Sequence, residues 1–373
     1  MQRFILRTSL FGLAICFAIL PASSQEVNEH KTQNILLVMT DGLRWQEVFR
    51  GAEASLLENA STDADAIAAL KKQYWRETRD ERREVLMPFF WSVVAREGQI
   101  YGNRDKGSDA YVNNKFNFSY PGYSETLCGF ADPRVNSNNK VPNPNVTVLE
   151  WLASKPAYKD QVAAFAAWDV FPSIFNQERA GFPINAGYDV FSGLPGNPRI
   201  ELLNTLKKEM PHYWDEEPFD ALPFRTALEY LEERKPRVLF LSLGETDDWA
   251  HSGDYARYLD AAHRVDEFLR TLWDTVQSIP QYRGQTTLIF LTDHGRGMDA
   301  KTWNDHGEDI PESKYIWMAF LGPDTARLGE RSKVSAVTQS QIAATLAGLL
   351  DEKYEPAEHA VGAPVGDVLA GPR

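Results

Sequence analysis

Pro236-Arg237-Val238-Leu239-Phe240-Leu241-Ser242-Leu243 runs into Gly244-Glu245-Thr246-Asp247-Asp248-Trp249-Ala250-His251, and farther on Thr287-Leu288-Ile289-Phe290-Leu291-Thr292 runs into Asp293-His294-Gly295. Each apolar run is short and continuous, the pattern of a strand buried on both faces of a parallel sheet. Between the two, Tyr255, Leu259, Ala262, Val265, Leu269, Leu272 and Val276 recur at helical spacing and predict an amphipathic helix. Strand, helix and strand in this order predict an α/β fold: a mainly parallel central sheet with helices on both faces. In such sheets ligands bind beyond the carboxyl ends of the strands. Residues 241–306 are therefore both the core of the fold and the place to look for a site.

A third run, Asn34-Ile35-Leu36-Leu37-Val38-Met39, is followed by Thr40-Asp41-Gly42 and repeats the arrangement. On position alone, Asp41 reads equally as a ligand at a strand end and as a turn residue before a glycine. Asp247 and His251 are four apart, the spacing that aligns two side chains on one helical turn; the choice of Asp247 over Asp248 comes from the family resemblance given below. Asp293 and His294 share a turn before Gly295, and His306 stands between Asp305 and Gly307. Carboxylates and imidazoles in glycine-punctuated loops suit zinc or a similar divalent cation. Convergence of the acids would demand cations, since close carboxylates repel. His30, His212, His263 and His359 lack such settings and read as structural or surface histidines.

The rest of the chain is consistent with one domain over 32–352, followed by a C-terminal tail, 353–373. Helices are expected over 63–96, from 146 to 152, over 219–234 and at 339–350, and strands at 99–102, 161–166 and 315–321. Residues 103–145 read as a long polar loop, a kind of segment that is often functional. Residues 171–214, rich in Pro, Gly, Asn and aromatic residues, read as an irregular cap insertion over the sheet edge.

With 43% hydrophobic and 12% aromatic residues the chain can bury a large core. The net charge of −13 argues against binding nucleic-acid polymers or an anionic membrane surface. An anionic substrate stays compatible with that charge, because bound metal ions invert the local field. Arg3 and Arg7, the apolar run 10–20 and Pro21-Ala22-Ser23-Ser24 form a secretory signal expected to be cleaved after Ser24. The run is short of the roughly 20 residues of a membrane span, so no transmembrane segment is expected in the mature, exported protein. Cys16 lies within the signal, leaving Cys128 without an intramolecular disulfide partner.

As a set, Asp-Gly after the first strand, Ser119 in Ser119-Tyr120-Pro121-Gly122, Asp247-x-x-x-His251, Asp293-His294-Gly295 and a final His306 resemble the alkaline phosphatase superfamily. The resemblance is to the branch with nucleotide pyrophosphatase/phosphodiesterases, phosphatases and cofactor-independent phosphomutases. It implies an exported hydrolase of phosphate esters with two divalent metal ions, zinc first and manganese second. One ion would be held by Asp247, His251 and His306, the other by Asp41, Asp293 and His294 with the Ser119 oxygen. Ser119 would be the nucleophile, passing through a phosphoseryl intermediate, with Ser124 as the local competitor. The short gap from His294 to His306 is more like phosphomutases and sulfatase-like hydrolases than diesterases. Gly122 replaces an asparagine of the diesterase pattern, so phosphate contacts would fall to backbone N–H groups or to Lys115, Arg134 or Asn138. The sulfatase Cys-x-Pro-x-Arg motif is absent, because Cys128 is followed by Gly-Phe-Ala-Asp. A phosphomutase and a catalytically inactive, metal-stabilised envelope binding protein are the alternatives. Monoester or diester preference, natural substrate and oligomeric state are not legible.

Overall fold

The computed structural model describes residues 30–356 and 359–371; the signal sequence expected at 1–24 lies outside the described residues. Ten strands are present among them: β1 Asn34–Thr40, β2 Gln99–Tyr101, β3 Ala110–Tyr111, β4 Val162–Ala166, β5 Ile184–Ala186, β6 Val238–Leu243, β7 Thr286–Thr292, β8 Met318–Leu321, β9 Gly329–Glu330 and β10 Val337–Thr338. Eight form one sheet in the order β5-β4-β6-β1-β7-β8-β2-β9, and β3 pairs with β10 apart from it. From β5 to β7 every pairing is parallel, while β8 runs antiparallel to β7 and to β2.

Register positions the site. Thr40 at the end of β1 pairs with Leu243 of β6 on one side and with Thr292 of β7 on the other. The three strands thus stop level, and Asp41, the Gly244 turn and Asp293 leave the sheet side by side. The apolar runs are continuous because both faces of the sheet are covered. Leu36 and Val38 of β1 join one core cluster with Leu239, Leu241 and Phe290. Ile35, Leu37 and Met39 join the other with Phe240, Ile289 and Leu291. Each face follows the two-residue period of a strand.

The helices largely follow expectation, with Ala64–Tyr74, Arg79–Leu86, Val148–Ala153, Ala221–Arg234, Tyr255–Ser278 and Ile342–Leu349 the main ones. No helix of the described residues is long and apolar enough to cross a membrane. Two segments are more regular than composition implied. The polar stretch 103–145 contains the ten-residue helix Ser119–Cys128, every residue of which is buried. Burial on all sides leaves no apolar stripe for a periodicity argument to find. Residues 171–214 hold the edge strand β5 and the twelve-residue helix Pro198–Glu209. Their last turn sets Trp214 edge-on against Trp249, with ring centroids 4.7 Å apart. Tyr354 and Val368, from the C-terminal stretch, are buried in the second core cluster.

Candidate metal centre

The loops that leave β1, β6 and β7 are bound to one another before any ligand is considered. Asp41 N–H donates to Leu243 O at 2.9 Å, and Thr246 Oγ1 donates to Asp41 O at 2.5 Å. Gln339 Nε2 donates to Thr292 O and Asp293 O at 3.0 and 2.5 Å. Gly295 N–H donates to Ser313 O at 2.7 Å. At Gly295 a β-carbon would meet Tyr315 O at 2.1 Å, so only glycine permits this approach.

The helix Ser119–Cys128 enters against these loops. Asn117 adopts a positive φ of 53°, a conformation asparagine tolerates better than most residues. Phe118 is extended, and its side chain does not cap the helix. Ser119 is therefore the first helical residue, at the positive end of the helix dipole. A β-carbon at Gly122 would lie 2.5 Å from Asp293 O. The departure from the diesterase asparagine thus has a packing cause: the helix crosses the end of β7 in backbone contact.

Ser119 Oγ lies 3.4 Å from both Asp41 Oδ1 and His294 Nε2. His294 Nε2 lies 3.2 Å from Asp41 Oδ1 and 3.5 Å from Asp293 Oδ2. A tetrahedral ion with bonds of about 2.0–2.1 Å to oxygen and nitrogen separates its ligand atoms by roughly 3.3 Å. The four separations given, 3.2–3.5 Å, are close to the edge length of that tetrahedron. On the other side, His251 Nε2 lies 3.0 Å from Asp247 Oδ2 and from His306 Nε2. His294 Nε2 is also 3.7 Å from Asp247 Oδ1, so His294 is close enough to group with Asp247 and His306 as well as with Asp41 and Asp293. Its separations from Asp41 and Asp293 are the shorter ones.

Asp41 and Asp293 each have one oxygen tied off and one turned inward, whereas Asp247 presents Oδ2 to His251 and Oδ1 to Arg296, with His294 and His306 at 3.7 and 3.8 Å from the same Oδ1. Tyr123 OH donates to Asp41 Oδ2 at 3.0 Å, Gly42 N–H donates to Asp293 Oδ1 at 3.1 Å, and Arg296 Nη2 donates to Asp247 Oδ1. Asp293 Oδ2 is buried with no hydrogen-bond partner, a costly state for a carboxylate oxygen unless a cation takes it. The imidazoles are fixed in the same way. His294 Nδ1 is 2.9 Å from Gly295 O and His306 Nδ1 is 3.2 Å from Asn117 O, which turns both Nε2 atoms inward. Outer contacts of this kind orient metal ligands.

The electrostatics carry the strain of gathered acids. Burial, then Asp41, pushes the Asp293 carboxyl well above the usual range. Burial lowers the His294 imidazole, but Asp293 and Asp41 outweigh it and push it up to about 9. Burial, then the His294 and Arg296 charges, holds His306 well below the ordinary histidine value. Burial, then Asp41, raises Asp248 to about 7, and its Oδ2 has no partner.

An open cleft of about 410 Å³, lined by Phe118, Asn138, His251, His306 and Gly307, leads from solvent to these atoms. Asn138 belongs to it, with Oδ1 accepting from Tyr120 N–H at 3.0 Å. Lys115 is exposed, with Nζ 3.5 Å from Glu308. Arg134 engages Asp132 and Asn145. Ser124 Oγ accepts from Asn143 Nδ2 at 3.1 Å, one turn along the helix from Ser119. The structure thus gathers Asp41, Ser119, Asp247, His251, Asp293, His294 and His306, and adds Tyr123 and Arg296, which the sequence reading did not single out. An arginine three residues after a ligand aspartate was the available signal for Arg296; Tyr123 offered none beyond lying four residues after Ser119.

Residues 219–349 match the model of the Metalloenzyme superfamily. No curated protein sequence matches the chain. Among solved structures, the alkaline phosphatase PafA is similar with a TM-score of 0.57 at 11% identity, over 92% of this chain and 99% of that one. Murine ectonucleotide pyrophosphatase/phosphodiesterase 5 gives a TM-score of 0.52 at 12% identity, over 88% and 98%. BT1596, a 2-O GAG sulfatase, gives 0.51 at 13% identity, over 92% and 75%. At such identities the likeness is one of fold, and that fold is shared by phosphatases, phosphodiesterases and sulfatases.

Proposed function

We propose that this chain, which is similar in fold to an alkaline phosphatase and matches the Metalloenzyme superfamily over residues 219–349, is a two-metal hydrolase of phosphate esters with Ser119 as its nucleophile. The observation that carries the reading is Ser119 Oγ, at the first residue of a helix and 3.4 Å from both Asp41 Oδ1 and His294 Nε2. Asp41, Asp293, His294 and Ser119 would hold one ion, and Asp247, His251 and His306 the other. Zinc suits these oxygen and imidazole donors, and manganese is the second choice. Bound there, two divalent cations would lower the pKa of the serine hydroxyl and take up charge on the phosphoryl oxygens.

The rest of the chemistry belongs to the chain. Ser119 Oγ, having given its proton to solvent, attacks phosphorus as the bond to the leaving oxygen breaks, and that oxygen departs with the electron pair and takes a proton from water. Water then cleaves the phosphoserine, releasing phosphate or a phosphomonoester and restoring the hydroxyl. The helix start favours an anion at Ser119. Asn138 stands ahead of Lys115 and Arg134 as a substrate contact. Its oxygen is committed to Tyr120 N–H, which leaves its amide N–H groups to donate in the cleft.

Sulfate esters are the competing substrates, because sulfatases share the fold. Against them, Tyr123 stands where the Cys-x-Pro-x-Arg pattern has arginine, and its hydroxyl is bound to Asp41. Export rests on residues 1–24 of the sequence alone.

The test is a panel of aryl phosphate monoester, diester and aryl sulfate under zinc and manganese, with the wild type and Ser119→Ala. Phosphate-ester turnover lost in the variant supports the reading. Sulfate-only turnover removes phosphate specificity, unchanged turnover removes Ser119, and no turnover by the wild type favours a phosphomutase or a binding protein.

A further inference from the structure

Beside the three gathered carboxylates lies one fixed positive charge that the proposed reaction does not use. Arg296 is 1% exposed and sets its guanidinium against Asp247 Oδ1. Its Nε donates to Gly42 O at 3.0 Å and its Nη1 to Asn304 O at 2.7 Å. One side chain thus ties the loops after β1, β6 and β7 together. Gly42 is shaped around it: a β-carbon there would lie 2.7 Å from Arg296 Nη2 and 2.6 Å from Asp247 Oδ1. The neighbouring buried arginine is otherwise employed. Arg44 pairs with Glu47 and Glu53 and donates to Gly297 O at 3.1 Å, returning the link from the first loop to the third.

Burying a guanidinium carries a large desolvation cost, and it is retained where a buried negative charge would otherwise stand alone. A centre filled with two dications has no such need. The metal-free centre does, with Asp41, Asp247 and Asp293 converging. We propose that Arg296 is the resident counter-charge of this centre. It compensates Asp247 while the Asp247–His251–His306 position holds no ion. The inference rests on the metal-centre reading and adds to it a protein that keeps its ligand loops assembled without metal.

The test is thermal unfolding of wild type, Arg296→Gln and Arg296→Lys, each after chelation and after zinc loading, with bound metal counted by elemental analysis. The metal-free Arg296→Gln protein should melt about 5 °C or more below the metal-free wild type. Zinc should close most of that gap, and Arg296→Lys, which keeps the charge, should resemble the wild type when metal-free. Equal loss with and without zinc would make Arg296 a packing residue and overturn the proposal, as would Arg296→Lys behaving like Arg296→Gln. If Arg296→Gln folds only when metal is present, the proposal stands. If it fails even then, the Arg296→Lys comparison decides. A wild type that binds no zinc would instead refute the metal centre itself.

Discussion

Tyr123 and Asp41 are joined by a hydrogen bond of 3.0 Å from the phenol to Oδ2, and Tyr123 lies on the same helix as Ser119, one turn on. Ser242 Oγ is 2.9 Å from the same phenolic oxygen. The helix that delivers the hydroxyl therefore also orients the carboxylate facing it. Burial, then Asp41, raises the Tyr123 phenol well above its ordinary value, so it remains a donor at any working pH.

Tyr123→Phe should keep the fold, with a stability loss of about 1 kcal/mol for one hydrogen bond. With Asp41 free to rotate, zinc affinity should fall by about 10- to 100-fold. Equilibrium dialysis measures this, and an unchanged affinity would mean that the phenol merely fills space.

Gly122→Ala places a methyl 2.5 Å from Asp293 O, and neither backbone has a flexible end to move aside. Overpacking of this kind costs about 1–3 kcal/mol. Activity should fall more than stability implies, because Ser119 and Asp293 are pushed apart. A variant with wild-type kcat and melting temperature would show that the helix and β7 do not need this contact.

His306→Ala removes one nitrogen from the position shared with Asp247 and His251, whose facing atoms lie 3.0 Å apart. Elemental analysis should find two ions per wild-type chain and one in the variant. One ion in the wild type, or none lost on substitution, would contradict two positions.

Lys207 offers a test away from the centre. It is 1% exposed, and its ammonium donates to Asn185 Oδ1 and Asp189 O at 2.9 Å each. Burial lowers its pKa from 10.5 to about 8. Between those values the unfolded chain binds more protons at this residue than the folded one, so stability rises with pH there. Below about 8 the penalty is complete, and above 10.5 it is gone. Relative to Lys207→Met, the wild type should gain up to about 3 kcal/mol from pH 8 to 10.5 in denaturant unfolding. A flat difference across that window would place the lysine in contact with water.

The central strands β1, β4, β6 and β7 were readable because a strand covered on both faces is almost continuously apolar. The register of Thr40 with Leu243 and Thr292 is known only from the fold. The helix at Ser119 was not readable: Ser119, Ser124 and Glu125 are all buried, and polar residues inside a fold look like a loop in the chain. Arg296 was missed for a related reason, since a lone arginine between glycines reads as solvated until Asp247 is seen against it. The antiparallel β8 was equally silent, because direction leaves no trace in an apolar run of four residues. Residues 171–214 concealed an edge strand of only three residues among their prolines and glycines.

The central claim is that Ser119 carries the transferred phosphoryl group. Zinc-loaded wild type, mixed with an aryl phosphate ester and quenched in acid within one turnover, should yield a single phosphorylated peptide with the phosphate on Ser119, and Ser119→Ala should yield none. Turnover without any phosphopeptide, or a phosphate found on Ser124, would contradict the account.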